Sequence, residues 1–175
     1  MKRIVFFIFL FSNYFLFSQS SDLPHGYRNI NLGMTLESVK KELLSDSVFG
    51  YRGDRDVSLL PNGYKQTIIE TSNNGFLSAT WFLFNENRLY NMTININREL
   101  MDYHSVFLTL CNKYGQPEFL NPEKAIWQNE WIQMTLERPL SIKYMDMIVF
   151  NSLQEESGVD QSVREMLRED FLDSL

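Results

Sequence analysis

The segment from Phe76 to Pro117 restricts the folds open to this chain, because it predicts two paired strands followed directly by a helix. Residues 76–84 are rich in aromatic side chains, which favour a strand because they pack well on a pleated surface. Residues 85–88 are polar and supply a short turn. Residues 89–97 then alternate, with Tyr90, Met92, Ile94 and Ile96 on one face and Asn91, Thr93, Asn95 and Asn97 on the other. This period of two predicts an antiparallel hairpin with one buried face and one wet face.

The helix predicted after this hairpin has recognisable ends. Asp102 is a good N-cap, because its carboxylate can accept from the first backbone N–H groups of the helix. Gly115 suits the position after the last turn, and Pro117 prevents the helix from continuing. Apolar side chains recur every three or four residues between these ends: Tyr103, Val106, Phe107, Leu110 and Tyr114. A hairpin followed by an amphipathic helix predicts a two-layer α+β domain.

A second amphipathic helix is predicted earlier in the chain, with Thr35 as its N-cap. Its buried side is expected to consist of Leu36, Val39, Leu43 and Leu44. The other predicted strands run from Tyr64 to Thr71, Ala125 to Trp127, Trp131 to Glu137 and Ser141 to Phe150. The sequence therefore predicts two amphipathic helices packed on one or more antiparallel meander sheets.

The two predicted helices share a short pattern that points to an internal repeat. Ser38-Val39 opens the first helix as Ser105-Val106 opens the second, and Leu43 matches Leu110 at the same offset. Each helix is followed by a loop and about three strands, so a duplicated helix-plus-three-strand unit would explain the pattern. Chance similarity between two amphipathic helices explains it equally well.

The first 20 residues predict a secretory signal peptide. Lys2-Arg3 is a basic start, residues 4–17 are almost entirely apolar, and residues 18–21 offer small residues for cleavage after Ser18 or Ser20. The apolar run is shorter than the roughly 20 residues of a membrane span, although an uncleaved anchor is the alternative. We therefore expect an exported protein, periplasmic or secreted, with no stable membrane anchor after cleavage and a single α+β domain over residues 21–151.

Residues 152–175 predict an acidic linker followed by a C-terminal amphipathic helix. A polar stretch covers residues 152–160, and Ser162 and Glu165 then form a capping box. An apolar stripe follows: Val163, Met166, Leu167, Phe171 and Leu175. Such a stripe suits insertion into the groove of a partner protein, and the acidic residues argue against an anionic membrane as that partner.

Composition excludes several classes of function. The net charge is −6 and becomes −8 after removal of Lys2 and Arg3, and no basic patch is visible, which argues against a nucleic-acid partner. Cys111 is the only cysteine, so no internal disulfide can form, and its place beside the helix stripe predicts a packed residue. His25 and His104 lack the spacing of a metal site, and no nucleophile or cofactor motif is present. The sequence thus predicts no catalytic, cofactor-binding or metal site.

The candidate interaction residues lie in the loop of residues 49–62 and in the C-terminal stripe. The loop contains Tyr51, Arg52 and Arg55, three side chains that are common in binding sites. The alternative is that its arginines pair with Asp54 and Asp56 on the surface. The C-terminal stripe contributes three further candidates: Val163, Leu167 and Phe171.

Two short motifs carry a family resemblance. Residues 32–39, Leu-Gly-Met-Thr-Leu-Glu-Ser-Val, resemble the GMT-x-x-x-V helix start of small bacterial envelope proteins of the SmpA/OmlA type. Residues 113–117 are similar to the LG-x-P motif that follows the helix in that group. The resemblance implies a helix-then-meander unit, shared with the β-lactamase-inhibitor proteins, and a place in outer-membrane protein assembly. This chain departs from the group in having no anchoring Cys, in being longer and in having an acidic tail. Its mature region also resembles secreted proteins of low-GC-content or spirochaete-like bacteria.

Two functions follow from these observations. The first is a non-catalytic interaction domain of the cell envelope whose partner is another envelope protein. The alternative is a small periplasmic hydrolase whose site assembles only in three dimensions. The first predicts an exposed apolar or aromatic patch, whereas the second predicts a concave pocket with converging polar groups.

Overall fold

A computed structural model describes residues 22–59 and 66–158 of the chain. The predicted signal peptide lies outside these residues. So does the helix predicted from Ser162 to Leu175, with its candidate residues Val163, Leu167 and Phe171.

The described residues form three α-helices, two short 3-10 helices (Ser47–Phe49 and Asp54–Asp56), a small hairpin and one large sheet, which confirms the predicted α+β class. The helices are α1 (Leu36–Ser45), α2 (Tyr103–Tyr114) and α3 (residues 147–158). The strands are β1 (Gly26–Tyr27), β2 (Ile30–Asn31), β3 (Val57–Leu59), β4 (Gln66–Ser72), β5 (Leu77–Asn85), β6 (Arg88–Ile96), β7 (Phe119–Leu120), β8 (Lys124–Gln128), β9 (Ile132–Glu137) and β10 (Ser141–Asp146). The large sheet is entirely antiparallel, in the order β3-β4-β5-β6-β10-β9-β8-β7.

The predicted hairpin forms from β5 and β6. Its two central turn residues, Glu86 and Asn87, both have positive φ, at 46° and 68°. Such a turn matches the right-handed twist of the flanking strands, so it closes a tight hairpin with Asn85 opposite Arg88. The central feature predicted from the sequence is therefore confirmed.

Both predicted helix caps are also confirmed. Thr35 and Asp102 accept hydrogen bonds from the backbone N–H groups of Ser38 and Ser105. Gly115 ends α2 with φ +82°, a conformation that side chains with a Cβ rarely adopt. Its carbonyl accepts from the indole N–H of Trp127 at 2.9 Å, which ties the end of α2 to the sheet.

The sheet contains two units of the same topology. Helix α1 precedes β3–β6, and α2 precedes β7–β10. The last strand of each unit lies at the centre of the sheet, where β6 and β10 pair with Ile94 opposite Ile142. Each unit thus has four strands rather than the predicted three. The additional strands β3 and β7 are only three and two residues long, too short for a period of two to be recognised.

Helices α1 and α2 cover one face of this sheet and enclose the main core. The largest fully buried side chains are Phe49, Phe82, Phe84, Ile30, Leu43, Ile69, Leu89, Met92, Ile94, Met134, Leu136 and Leu140. Val39 and Leu43 of α1 and Leu110 of α2 belong to the same cluster. Leu44, predicted on the buried side, is 70% exposed, because it lies on the outer side of α1. The core-facing stripe of α1 is thus narrower than predicted.

The predicted alternation of β6 fails at one residue. A bulge lies at the start of the strand, where Phe84 faces Leu89 and Leu83 faces Asn91, so that Tyr90 is an extra residue. Leu89 therefore takes the place in the core that the sequence predicts for Tyr90.

The end of β10 also differs from its prediction. The strand stops at Asp146 instead of Phe150, and residues 147–158 are helical where the sequence predicts first a strand and then a linker. Asp146 explains the change, because its carboxylate accepts from the backbone N–H groups of Ile148 and Val149 at 3.0 and 3.2 Å and so starts α3. None of the helices in the described part of the chain is long and apolar enough to cross a bilayer.

Candidate functional site

The loop candidates differ in their surroundings. Tyr51 is half-buried and packs against the core, and this burial raises the pKa of its hydroxyl. Arg52 and Arg55 are exposed on the surface. Arg52 forms an Arg–Asp pair of the kind that the alternative interpretation of the loop predicts. Its guanidinium donates to the carboxylate of Asp56 at 2.6 and 2.9 Å. Asp54 instead pairs with Lys40 at 3.1 Å.

The sheet face opposite α1 and α2 is a candidate binding surface of the described residues. We call it the open face and define it by three rows of side chains that lie across β4, β5, β6, β10, β9 and β8. The first row is Ile68, Leu83, Asn91, Met145, Gln133 and Gln128; the second is Glu70, Trp81, Thr93, Lys143, Thr135 and Ile126; the third is Ser72, Ala79, Asn95, Ser141, Glu137 and Lys124. Most of these side chains are half-buried.

The open face combines apolar side chains with polar groups that bind each other along the rows. Trp81, Leu83 and Met145 supply apolar surface. Ser141 donates to the side-chain oxygen of Asn95 at 2.7 Å, between the two central strands. Such side-chain bonds limit rotamer freedom, so the face is ordered before anything binds to it.

Sequence reasoning found only part of this surface. The period of two in β6 predicts its Asn and Thr side chains on the face opposite the buried one, and the structure places them there. Their position in the middle of six strands depends on the pairing of β6 with β10, and these strands are about 50 residues apart in the sequence. No local sequence pattern predicts the pairing of strands that are so far apart in the chain.

Helix α3 lies at one end of the open face. A cleft of about 600 Å³ separates Phe150 and Leu153 of the helix from Gln66, Tyr90 and Asn91 of the sheet. Tyr90 is 8% exposed and lies outside the main core cluster, and α3 is the helix that lines the cleft beside it. Burial raises the pKa of the Tyr90 hydroxyl.

A second cleft lies at the opposite end of the strands, and we call it the basic cleft. It has a volume of about 680 Å³ and is lined by Arg98, Glu123, Lys124, Glu137, Arg138 and Pro139. Two smaller clefts, of about 560 and 210 Å³, adjoin it and share Arg98 and Pro139 with it. Because Glu137 and Lys124 also belong to the third row, the basic cleft borders the open face.

Arg138 is held firmly in this cleft. Its Nε donates to the carbonyl of Pro122 at 2.8 Å. Its Cζ lies 4.3 Å from the ring centroid of Tyr103, which is a cation–π contact. Tyr103 is fixed in turn, because its ring stacks on Phe107 at 6.5 Å and its hydroxyl donates to the carbonyl of Leu136 at 3.4 Å.

The side chains that could carry out acid–base or thiol chemistry lie in surroundings that do not activate them. The carboxylate of Asp102 binds Ser105 as a helix cap, and His104 beside it is exposed. Burial raises the pKa of the Cys111 thiol, which is the opposite of what a reactive thiolate needs. Within residues 22–59 and 66–158, no three His, Cys, Asp or Glu side chains are grouped closely enough to hold a metal ion.

One comparison with known proteins gives a match. Residues 25–156 match the family described as the TP0088 domain. No curated protein and no solved structure matches the chain.

Proposed function

This chain belongs to the TP0088 domain family, and we propose that it is a non-catalytic binding domain of the bacterial cell envelope. The open face is the surface on which it binds another envelope protein. The observation that carries this proposal is the mixed apolar and polar face of the eight-stranded sheet, which α1 and α2 leave uncovered.

The size of the open face suits a protein partner. Six strands spaced about 4.8 Å apart, with three rows of side chains, give a surface of about 30 by 20 Å, or roughly 600 Å². One partner in a standard protein–protein interface contributes about 800 Å². The open face together with the basic cleft at its border therefore approaches the area of a specific interface.

The chemistry of the open face also favours a protein. Trp81 and Met145 belong to residue types that are enriched at interfaces. The Asn, Thr and Ser side chains around them can bind the polar groups of a partner. The border carries Arg98, Lys124 and Arg138, so the partner should present acidic side chains at this end.

Export to the envelope is the second part of the proposal. It is supported by the basic start, the apolar residues 4–17 and the small residues at 18–21. The family match begins at residue 25, after this segment. Similarity of residues 32–39 to the SmpA/OmlA helix start supports the same compartment. N-terminal sequencing of exported protein should begin at Gln19 or Ser21, and a mature protein that still contains Phe15 would contradict export with cleavage.

The binding proposal can be tested by capture from an envelope extract with three full-length variants. Thr93→Arg places a long charged side chain at the centre of the open face, and Trp81→Ala removes its largest apolar group. Leu44→Glu is the matched control, because Leu44 is 70% exposed on the outer side of α1. Unchanged melting temperatures would show that each variant is folded.

Binding through the open face predicts one pattern of capture. A protein retained by the unaltered chain and by Leu44→Glu should be lost by Thr93→Arg and weakened by Trp81→Ala. Equal recovery with all variants would mean that the open face is not the docking surface. Self-association detected by sedimentation, abolished by Thr93→Arg, would instead identify a second copy of this chain as the occupant and overturn the proposal of a different partner.

A further inference from the structure

We propose that the basic cleft is a binding site for a small organic carboxylate, with Arg138 as the residue that binds the carboxylate group. Its lining cations also border the open face, but the site needs only the groups of the cleft and does not depend on a protein that docks there. The orientation of Arg138, the charges around it and the space in front of it support this assignment.

Arg138 is oriented before any ligand arrives. The cation–π contact with Tyr103 and the hydrogen bond from Nε to Pro122 restrain the guanidinium at two points. No acceptor among the described residues bonds its two terminal amino groups. The guanidinium therefore offers one edge with two parallel N–H donors, which is the arrangement that pairs with a planar carboxylate.

The surrounding charges favour an anion in an otherwise acidic protein. Arg98 and Lys124 line the cleft with Arg138. Of the two carboxylates in the lining, Glu137 already pairs with Lys143 at 2.6 Å. Its negative charge is thus compensated within the sheet, which leaves the three cations of the lining against Glu123.

The shape of the donor edge favours a carboxylate over a phosphate. The two oxygens of a carboxylate lie in one plane and match the flat edge of Arg138, whereas the oxygens of a phosphate are arranged tetrahedrally.

The volume of the cleft fits a small molecule rather than a single ion. A space of about 680 Å³ falls within the usual range of small-molecule sites, about 300–1,000 Å³. The ligand class is therefore a compact molecule with at least one carboxylate, and glutarate is a suitable probe.

The test is a titration of the full-length mature protein with glutarate at constant ionic strength, followed by NMR. The Nε–Hε signal of Arg138 and the backbone amides of Arg98 and Lys124 should shift together and saturate. The dissociation constant should be on the order of 1–10 mM, as expected for a ligand of this size. Phosphate should bind more weakly than glutarate.

Variants distinguish bidentate binding by the guanidinium of Arg138 from general attraction to positive charge. Arg138→Lys keeps the charge but loses the fork and the flat stack, and should weaken glutarate binding about tenfold. Arg98→Gln should weaken it less, and gives a second measurement if Arg138→Lys perturbs the fold. Arg55→Gln, a change of an exposed arginine of the loop outside the cleft lining, should have no effect.

Three results would overturn the site. Shifts that grow linearly and are equal with chloride would indicate screening only. If Arg138→Lys bound glutarate as tightly as the unaltered protein does, the paired N–H donors of the guanidinium would not contribute to binding. Phosphate binding more tightly than glutarate would contradict the carboxylate assignment.

Discussion

The carboxylate of Asp102 accepts two hydrogen bonds from Ser105, one from its backbone N–H at 2.9 Å and one from its hydroxyl at 2.6 Å. Thr35 and Ser38 make the corresponding pair at the start of α1, with distances of 3.3 and 2.8 Å. The two helices therefore begin in the same way, but only the cap of α2 carries a charge.

This difference predicts a pH dependence of stability. The bonds from Ser105 lower the pKa of Asp102 below its ordinary value of 3.8. A carboxyl whose pKa is lowered on folding stabilises the fold above its unfolded pKa, and this contribution is lost as the pH falls through the folded pKa. Asp102→Ala should therefore lower the melting temperature at pH 7, and its difference from the unaltered protein should shrink below about pH 4.

Thr35→Ala is the matched control for this prediction. It removes a cap of the same geometry that does not titrate, and should lower the free energy of unfolding by about 1 kcal/mol at all pH values. Thermal melts between pH 2.5 and pH 7 would measure both differences. A difference for Asp102→Ala that stays constant over this range would show that its charge contributes nothing.

Asp56 should matter for stability more than the arginines around it. Its side chain is fully buried and accepts from the backbone N–H of Arg52 at 2.7 Å as well as from the guanidinium. Asp56→Ala should reduce the free energy of unfolding by about 1–3 kcal/mol, because the partly buried backbone N–H of Arg52 loses its acceptor. Arg55→Ala should change it by less than about 0.5 kcal/mol. Urea denaturation would measure the free energy of unfolding of both variants. Equal effects of the two changes would contradict a structural role of Asp56.

Helix α2 offers a test of the core through two leucines on opposite sides. Leu110 is 7% exposed and Leu108 is 45% exposed. Leu110→Ala should cost about 2–5 kcal/mol, because it leaves a cavity under the helix. Leu108→Ala should stay within about 0.5 kcal/mol. Comparable losses measured by urea denaturation would mean that the helix does not pack on the sheet in this orientation.

Helix α3 should control the titration of Tyr90. Burial raises the pKa of this hydroxyl above its ordinary value of 10.0. Truncation after Asp146 removes α3, so the pKa of Tyr90 should move back toward that value. The measurement is an NMR titration with labelled tyrosine. Tyr144, whose pKa is raised by burial in the main core, is the internal reference and should not change.

A second variant keeps this prediction testable if the truncated chain is unstable. Leu153→Asp should loosen the contact while leaving the helix in place, and should lower the pKa of Tyr90 in the same direction. A Tyr90 pKa that neither change affects would mean that another part of the chain buries it.

The sequence by itself determined the elements whose cause is local. Asn87 in a two-residue turn, the caps at Thr35 and Asp102, and Gly115 at the end of α2 each act on backbone within a few residues, so their effect can be read from neighbouring positions. The α+β class followed from these elements, because a hairpin and an amphipathic helix can bury their apolar sides only against each other.

Tertiary structure alone decided where these elements meet. The bulge that turns Tyr90 out of the core depends on the register of β5 and β6, and the short strands β3 and β7 exist only because longer neighbours offer them hydrogen-bonding partners. Arg138 reaches the ring of Tyr103 across 35 positions of sequence, and the Ile142 of β10 pairs with the Ile94 of β6 across 48 positions. Both candidate sites are built from such distant contacts, because side chains far apart in the chain share a surface only once the sheet has closed.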